Sequence, residues 1–230
     1  MTRDTKSGPE NSQGADRAAT DVAAVGRRLP ILRGAVVGAL AFVAGYALTL
    51  VLARVAGGLT GARDPFGLAG LVFYSTQLVS GTVALPTGPE SFNALHDITS
   101  TIPKLVYYVV PVAVLVGGGY LLVSRLAAGG DLSRRAGARA GATLVVGYLP
   151  FVAVGAVLFT TRFRLSDPFR TVVLSPDPVS AVVLAGLVYP LALGALGGYL
   201  AVAYPRDRFA GADERDRRGG VAGRDLSRGE

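Results

Sequence analysis

The sequence predicts an all-α membrane protein with four transmembrane helices and one re-entrant or buried helical segment at 66–85. Four apolar stretches reach the roughly 20 residues that a helix needs to cross a hydrocarbon core of about 30 Å. Only 17% of the 230 residues are charged, whereas about 25% is usual in soluble domains. Basic residues outnumber acidic ones, and most of this excess is arginine in short loops beside the apolar stretches. This distribution is typical of polytopic membrane proteins.

The four predicted spans have no Asp, Glu, His, Lys or Arg in their interiors. They cover about 31–53, 104–124, 140–160 and 178–204. Residues 30–204 therefore form one integral membrane domain. We expect disordered cytoplasmic tails at 1–29 and 205–230, because both are rich in Gly, Ser, Arg and Asp and contain few large apolar residues.

The segment 66–85 is uncharged and long enough to cross a bilayer, but a polar band lies in its middle. Tyr74, Ser75, Thr76 and Gln77 are consecutive, so on a helix they point all round the axis and leave no apolar face for lipid. This pattern favours a re-entrant hairpin or a broken half-helix covered by the other spans. A fully buried fifth span is the alternative.

The distribution of Lys and Arg favours four crossings. With four crossings, 17 basic residues lie on the side of both tails and 6 on the other side. With five crossings the two sides hold 10 and 13, which leaves no positive-inside bias. The sequence therefore predicts a multi-pass protein of the plasma membrane with cytoplasmic N- and C-termini.

Asp-Pro pairs predict where helices begin. An aspartate at the N-cap followed by proline at the first helical position is a common helix start. The pairs are Asp64-Pro65, Asp167-Pro168 and Asp177-Pro178. The first predicts that 66–85 begins as a helix, and the third predicts the start of the last span.

Small residues and prolines recur within the spans. Glycines at four-residue spacing let helix backbones approach closely, which predicts helix packing at Gly34, Gly38, Gly186, Gly194 and Gly198. These faces serve either packing inside the bundle or a homo-oligomer interface. Each of the last three spans also has a proline near its middle, which predicts helix hinges at Pro111, Pro150 and Pro190.

No residue pattern indicates an enzyme. The chain has no cysteine and a single histidine, His96, which we interpret as an ordinary loop residue. No serine has a His or Asp partner within the spans, and no cluster of metal ligands is present in the sequence. We therefore predict no catalytic residue, no metal site and no cofactor. The bilayer is the expected partner and nucleic acid is not, because each tail is only weakly basic and mixed in sign.

The sequence resembles a family of short, uncharacterised membrane proteins from halophilic archaea that are sometimes labelled transporters. The resemblance covers roughly residues 30–204 and rests on RGAVVGALAFVAGYALT, GLVFYSTQLV, YYVVPVAVLVGGGY and VVLAGLVYPLALGALGG. Members of this family have a Phe-Tyr-Asn-Ala-His-like core between the first two strong spans. Here only Phe73 and Tyr74 match that core, and Gln77 stands where the histidine would be. The resemblance implies no activity.

Two functions remain open from the sequence. The first is a transporter-like or permeation protein, in which the polar band Tyr74–Gln77 forms the site. The second is a non-transporting membrane scaffold that recruits an unknown protein partner through its charged tails.

Overall fold

The protein is described by a computed structural model that covers residues 10–85, 88–127, 132–164 and 171–204. Its elements follow one another as α1 (Glu10–Val55), α2 (Pro65–Ser75), β1 (Gly81–Leu85), β2 (Gly88–Phe92), α3 (Ala94–Asp97), α4 (Lys104–Ala127), α5 (Arg134–Ala142), α6 (Val145–Leu158), β3 (Thr161–Arg164), β4 (Thr171–Pro176), α7 (Pro178–Ser180), a π-helical segment (Ala181–Val188) and α8 (Tyr189–Ala203).

Four helical stretches are long and apolar enough to cross a membrane. They are Ile31–Val55, Lys104–Leu126, Arg134–Leu158 and Pro178–Ala203. The third consists of α5 and α6, and the fourth of α7, the π-helical segment and α8. The predicted fold class is therefore confirmed: the chain is mostly helical, with four helices that have the length and composition of membrane spans.

Helix α1 begins at Glu10, twenty-one residues before the predicted span. Its backbone therefore enters the segment 1–29 that we expected to be a disordered tail. Residues 1–9 and the whole second tail, 205–230, lie outside the described residues. The disorder of the two tails stays a prediction.

The two ends of the four-helix bundle differ in chemistry. At one end α1 and α6 finish, and α4 and α7 begin; we call it the sheet end because the four strands lie there. At the other end, the arginine end, the membrane-length stretches begin or finish near Arg33, Arg125 and Arg134. The described carboxylate side chains all belong to segments at the sheet end: Asp64, Glu90, Asp97 and Asp177.

The strands form a four-stranded antiparallel sheet in the order β2-β1-β4-β3. Strands β1 and β4 are joined in the register Gly81↔Pro176 to Ala84↔Val173. The side chains of Thr82 and Ser175 meet across this pair, with their oxygens 3.1 Å apart. The sequence did not predict this sheet, because its central pairing joins residues more than 80 positions apart and each strand is only four to six residues long.

Two apolar clusters hold the described domain together. One lies within the bundle and includes Phe42, Phe73, Tyr148 and Val152. The other lies towards the sheet end and includes Leu59, Leu71, Leu95 and Tyr107. Helix α2 contributes to both clusters, so the short element inserted between the spans is part of the core.

Candidate functional site

The candidate site is built by helix α2, which begins at an aspartate cap. The Asp64 side chain accepts a 2.9 Å hydrogen bond from the Gly67 backbone N–H, and Pro65 occupies the first helical turn. Both Asp64 and Asp177 act as N-caps, as the sequence predicted. Asp167-Pro168 lies outside the described residues.

Helix α2 is too short to cross a membrane. Its 11 residues extend about 16 Å at 1.5 Å per residue, roughly half of a hydrocarbon core of about 30 Å. After the helix, a tight turn leads into β1, which pairs with β4 at the sheet end. The Ser80 carbonyl accepts a 2.8 Å hydrogen bond from the Asp177 backbone N–H. The segment 66–85 is therefore a half-helix followed by an extended return, the arrangement that the polar band predicted.

The turn that ends α2 passes through Leu78, which has φ of 61°. The Val79 N–H donates to the Tyr74 carbonyl and the Leu78 N–H to the Ser75 carbonyl. This is the hydrogen-bond pattern of a left-handed helix end, where glycine is the usual residue. A leucine in this conformation costs about 1–2 kcal/mol, and the surrounding contacts must supply that energy.

The polar band lies inside the bundle. Tyr74, Ser75, Thr76 and Gln77 are each no more than 1% exposed. The Tyr74 hydroxyl donates to the Val152 carbonyl of α6. The Thr76 hydroxyl donates to the Phe73 carbonyl at 2.6 Å. In this conformation the polar band is closed to solvent and lipid.

Gln77 joins the end of α2 to the third span. Its side-chain amide donates to the Phe73 carbonyl at 3.4 Å, and its Oε1 accepts a 2.9 Å hydrogen bond from the Tyr148 hydroxyl. Tyr148 precedes the end of α6 at Leu158 by ten residues, or about 15 Å. Gln77 therefore lies near the middle of a bilayer-sized bundle.

Aromatic rings enclose this polar turn. The ring of Phe42 meets the rings of Phe73 and Tyr148 edge-on, at centroid distances of 5.3 and 5.5 Å. Phe159 stacks on Tyr46 at 4.8 Å, nearer the sheet end. Edge-to-face and stacked contacts of this kind orient the rings as well as burying them. The hydroxyl and amide groups of the polar turn are thus surrounded by a rigid, largely apolar set of side chains.

The three prolines predicted as hinges have different surroundings. Helix α4 is continuous past Pro111, and α6 is continuous past Pro150. The break within the third span lies instead at 143–144, where hydrogen bonds tighten to three-residue spacing. Pro190 is the second residue of α8, directly after the π-helical segment Ala181–Val188. A π-helix widens the hydrogen-bond spacing, and this lets the backbone reach Pro190 without a clash.

The predicted packing glycines lie at helix contacts inside the bundle. A Cβ atom added at Gly34 or Gly38 would collide with Thr143 or with the Leu144 carbonyl. Gly194 and Gly198 face the glycines of α5. At Gly186, an added Cβ would lie 2.5 Å from the Leu149 side chain. A role of these glycines in a homo-oligomer stays a prediction.

The side chain of His96 is exposed on the short helix α3, whose residues Ala94 and Leu95 are buried. The His96 carbonyl accepts a 2.6 Å hydrogen bond from Lys104 Nζ. Within the described ranges, no three His, Cys, Asp or Glu side chains are grouped so that they could hold a metal ion. Every buried side-chain nitrogen and oxygen in those ranges has a hydrogen-bond partner.

Sequence reasoning identified the polar band but missed its partners. Tyr148 and Val152 belong to a helix more than 70 residues away along the chain, and Phe42 belongs to the first span. Tyr148 attracted notice only as a tyrosine close before Pro150. Nothing in the local sequence linked Tyr148 to Gln77, which lies 71 positions away.

Comparison with known sequences gives a family but no activity. Residues 13–204 match a family described as "Family of unknown function (DUF7978)". No curated protein and no solved structure is significantly similar to the chain.

Proposed function

Since the chain belongs to this family of unknown function, its activity has to be argued from its geometry, and we propose that it is a transporter-like permeation protein. The observation that carries the proposal is the half-helix α2, which brings Gln77 to mid-depth and hydrogen-bonds it to Tyr148. Non-helical backbone at membrane depth is tolerated where protein covers it or where it lines a cavity. In many transporters, broken helices of this kind form the substrate site.

The chemistry of the site favours a small, neutral, polar solute. Gln77, Tyr148 and Tyr74 supply both hydrogen-bond donors and acceptors. The four predicted spans have no Asp, Glu, His, Lys or Arg in their interiors, whereas proton-coupled carriers usually have such a group. A solute that exchanges hydrogen bonds with an amide and phenols needs no such group.

Permeation requires this closed site to open. The π-helical segment packs against α6 with small residues, since Ala181 and Ala185 are buried in the same cluster as Tyr148 and Val152, the two α6 residues that bond to the polar band. A π-helix is a weak point in the hydrogen-bond ladder and often marks a functional site. Movement of this segment about Pro190 is the opening that we propose.

The experiment is solute flux through proteoliposomes that contain the full chain. Light scattering would follow swelling with water, urea and glycerol, beside protein-free vesicles. The variants Gln77→Leu and Tyr148→Phe should lose the flux. Thr49→Val is the matched control, because Thr49 is equally buried but bonds only to the Gly45 carbonyl of its own helix. Flux equal to protein-free vesicles for every solute, in correctly folded protein, contradicts the proposal.

A membrane scaffold without transport is the second candidate, favoured by the complete burial of the polar band. Deletion of residues 1–28 and 206–230 should then abolish the recovery of a binding partner in pull-down. An unchanged set of partners contradicts this candidate. We further propose a plasma-membrane location with cytoplasmic termini, no enzymatic activity and, from the resemblance, an origin in a halophilic archaeon.

A further inference from the structure

We propose that the groove between α1 and α4 binds one anionic phospholipid, with its headgroup at the arginine end and an acyl chain along the groove. The groove has a volume of about 940 Å³ and opens to the outside of the bundle. Its walls are apolar residues of both helices, among them Val36 and Leu40 of α1 and Ala113 and Leu121 of α4. Such a surface takes up hydrocarbon.

Two arginines at one end of the groove give it a charge preference. Arg33 and Arg125 both line the groove, both are exposed, and neither has an ion-pair partner among the described residues. They lie near the ends of the spans Ile31–Val55 and Lys104–Leu126, where lipid headgroups are found. Guanidinium groups bind phosphate oxygens in a bidentate manner, and basic pockets between membrane helices select anionic headgroups.

The length of the groove fits one leaflet. Along α1 its lining runs from Leu32 to Ala44, a distance of about 18 Å at 1.5 Å per residue. Half of a hydrocarbon core of about 30 Å is about 15 Å. A lipid whose phosphate meets the arginines would therefore have its acyl chain beside the groove over the whole leaflet.

Glycine keeps the groove open on the α4 side. A Cβ atom added at Gly117 would meet nothing within 4 Å. At the next residue, Gly118, it would contact Leu144 and Val37, so this position faces the packed side of α4. A larger side chain at Gly117 would therefore occupy the groove without disturbing the bundle, which provides a direct test.

The charge at the arginine end favours a lipid over a second copy of the chain as the occupant of the groove. The described side chains at the arginine end include Arg33, Arg125, Arg134, Arg135 and Arg139 but no carboxylate. A parallel second copy seated in the groove would bring the same arginines against Arg33 and Arg125. An anionic headgroup would complement them.

The test is native mass spectrometry of the full chain in detergent, titrated with phosphatidylglycerol or phosphatidylcholine. We expect one retained phosphatidylglycerol with clear preference over phosphatidylcholine. The double variant Arg33→Gln/Arg125→Gln should weaken phosphatidylglycerol binding roughly 30-fold, because two juxtamembrane cation contacts are lost. Gly117→Leu should reduce the retention of both lipids. Arg135→Gln/Arg139→Gln is the matched control and should keep the preference.

Three results would overturn the proposal. The first is an unchanged lipid preference in the double variant, and the second is undiminished lipid retention in Gly117→Leu. The third is a dimer mass in the wild type that Gly117→Leu converts to monomer, which would make a second copy the occupant. Gly117→Ala adds only a methyl group and should reduce lipid retention less than Gly117→Leu. Circular dichroism checks that each variant keeps its helix content.

Discussion

The Tyr148 hydroxyl donates a 2.9 Å hydrogen bond to Gln77 Oε1, joining two residues 71 positions apart near the middle of the bundle. Both side chains are no more than 1% exposed. In this conformation neither water nor lipid reaches the bond. It ties the end of the half-helix α2 to the third span.

Tyr148→Phe should lower the free energy of unfolding by about 1 kcal/mol, as for hydrogen bonds between membrane helices. Gln77→Leu removes the other partner. In a double-mutant cycle the two changes together should cost less than the sum of the single costs. Unfolding in mixed micelles, followed by circular dichroism, measures this coupling. Strictly additive costs would show that the two groups do not interact.

Leu78→Gly should stabilise the protein, because Leu78 has φ of 61°, a conformation that glycine adopts freely. Its side chain is 61% exposed, so little packing is lost. Leu78→Ala is the control, since alanine loses the same contacts but keeps the backbone strain. The glycine variant should be about 1 kcal/mol more stable than the alanine variant. Equal stabilities would mean that the turn is not strained at this residue.

Gly141→Ala should destabilise the contact between α5 and α8, because the new Cβ would collide with the Gly194 carbonyl. A backbone atom cannot move without separating the helices, so we expect a loss of about 1–3 kcal/mol. Gly117→Ala is the matched control, since its Cβ would enter open space. Thermal unfolding of the two variants measures the difference, and equal melting temperatures would contradict the close approach.

The N-cap at Asp177 predicts a dependence of stability on pH. Hydrogen bonds from the Ser180 side chain and backbone lower the pKa of the Asp177 carboxyl from its ordinary 3.8. A carboxyl with a lowered folded-state pKa stabilises the fold fully above its ordinary pKa. That contribution falls as pH drops from about 4 through the lowered pKa.

Asp177→Asn keeps a capping side chain but loses the charge, and should remove this part of the pH dependence. Asp177→Ala should cost about 1 kcal/mol near neutral pH, through loss of the cap. Melting temperatures between pH 3 and 7 test both statements. If Asp177→Asn shows the same dependence of melting temperature on pH as the wild type, the Asp177 carboxyl does not contribute to that dependence.

Cysteine labelling tests the topology, since the chain has no native cysteine. Arg63→Cys and Glu90→Cys flank the half-helix, and both positions are exposed at the sheet end. Both should react with a membrane-impermeant maleimide added from outside. Arg135→Cys, at the arginine end, should react only after permeabilisation. Labelling of Arg63→Cys and Glu90→Cys from opposite sides would establish a fifth crossing.

Much of this architecture can be predicted from the sequence because it depends on composition alone. An apolar run of about 20 residues has few alternatives to a membrane helix. The bounds of the four spans therefore agree with the structure to within a few residues, except that the third begins at Arg134 rather than near 140. The N-caps at Asp64 and Asp177 can also be predicted from the sequence, because an N-cap depends on residues that are close neighbours along the chain.

Tertiary contacts decided the rest. The polar band at 74–77 and the arginine count indicated a segment that does not cross, but only packing ended the helix at Ser75 and turned the chain at Leu78. The pairing of β1 with β4 and the bond between Gln77 and Tyr148 join residues far apart in the chain. Hydropathy measures the free energy of moving each segment from water into lipid. It does not show which buried polar groups form hydrogen bonds with each other, because that depends on which groups lie close together in the folded protein. Local composition thus gives the positions of the spans, and long-range packing decides what the polar turn between them contacts.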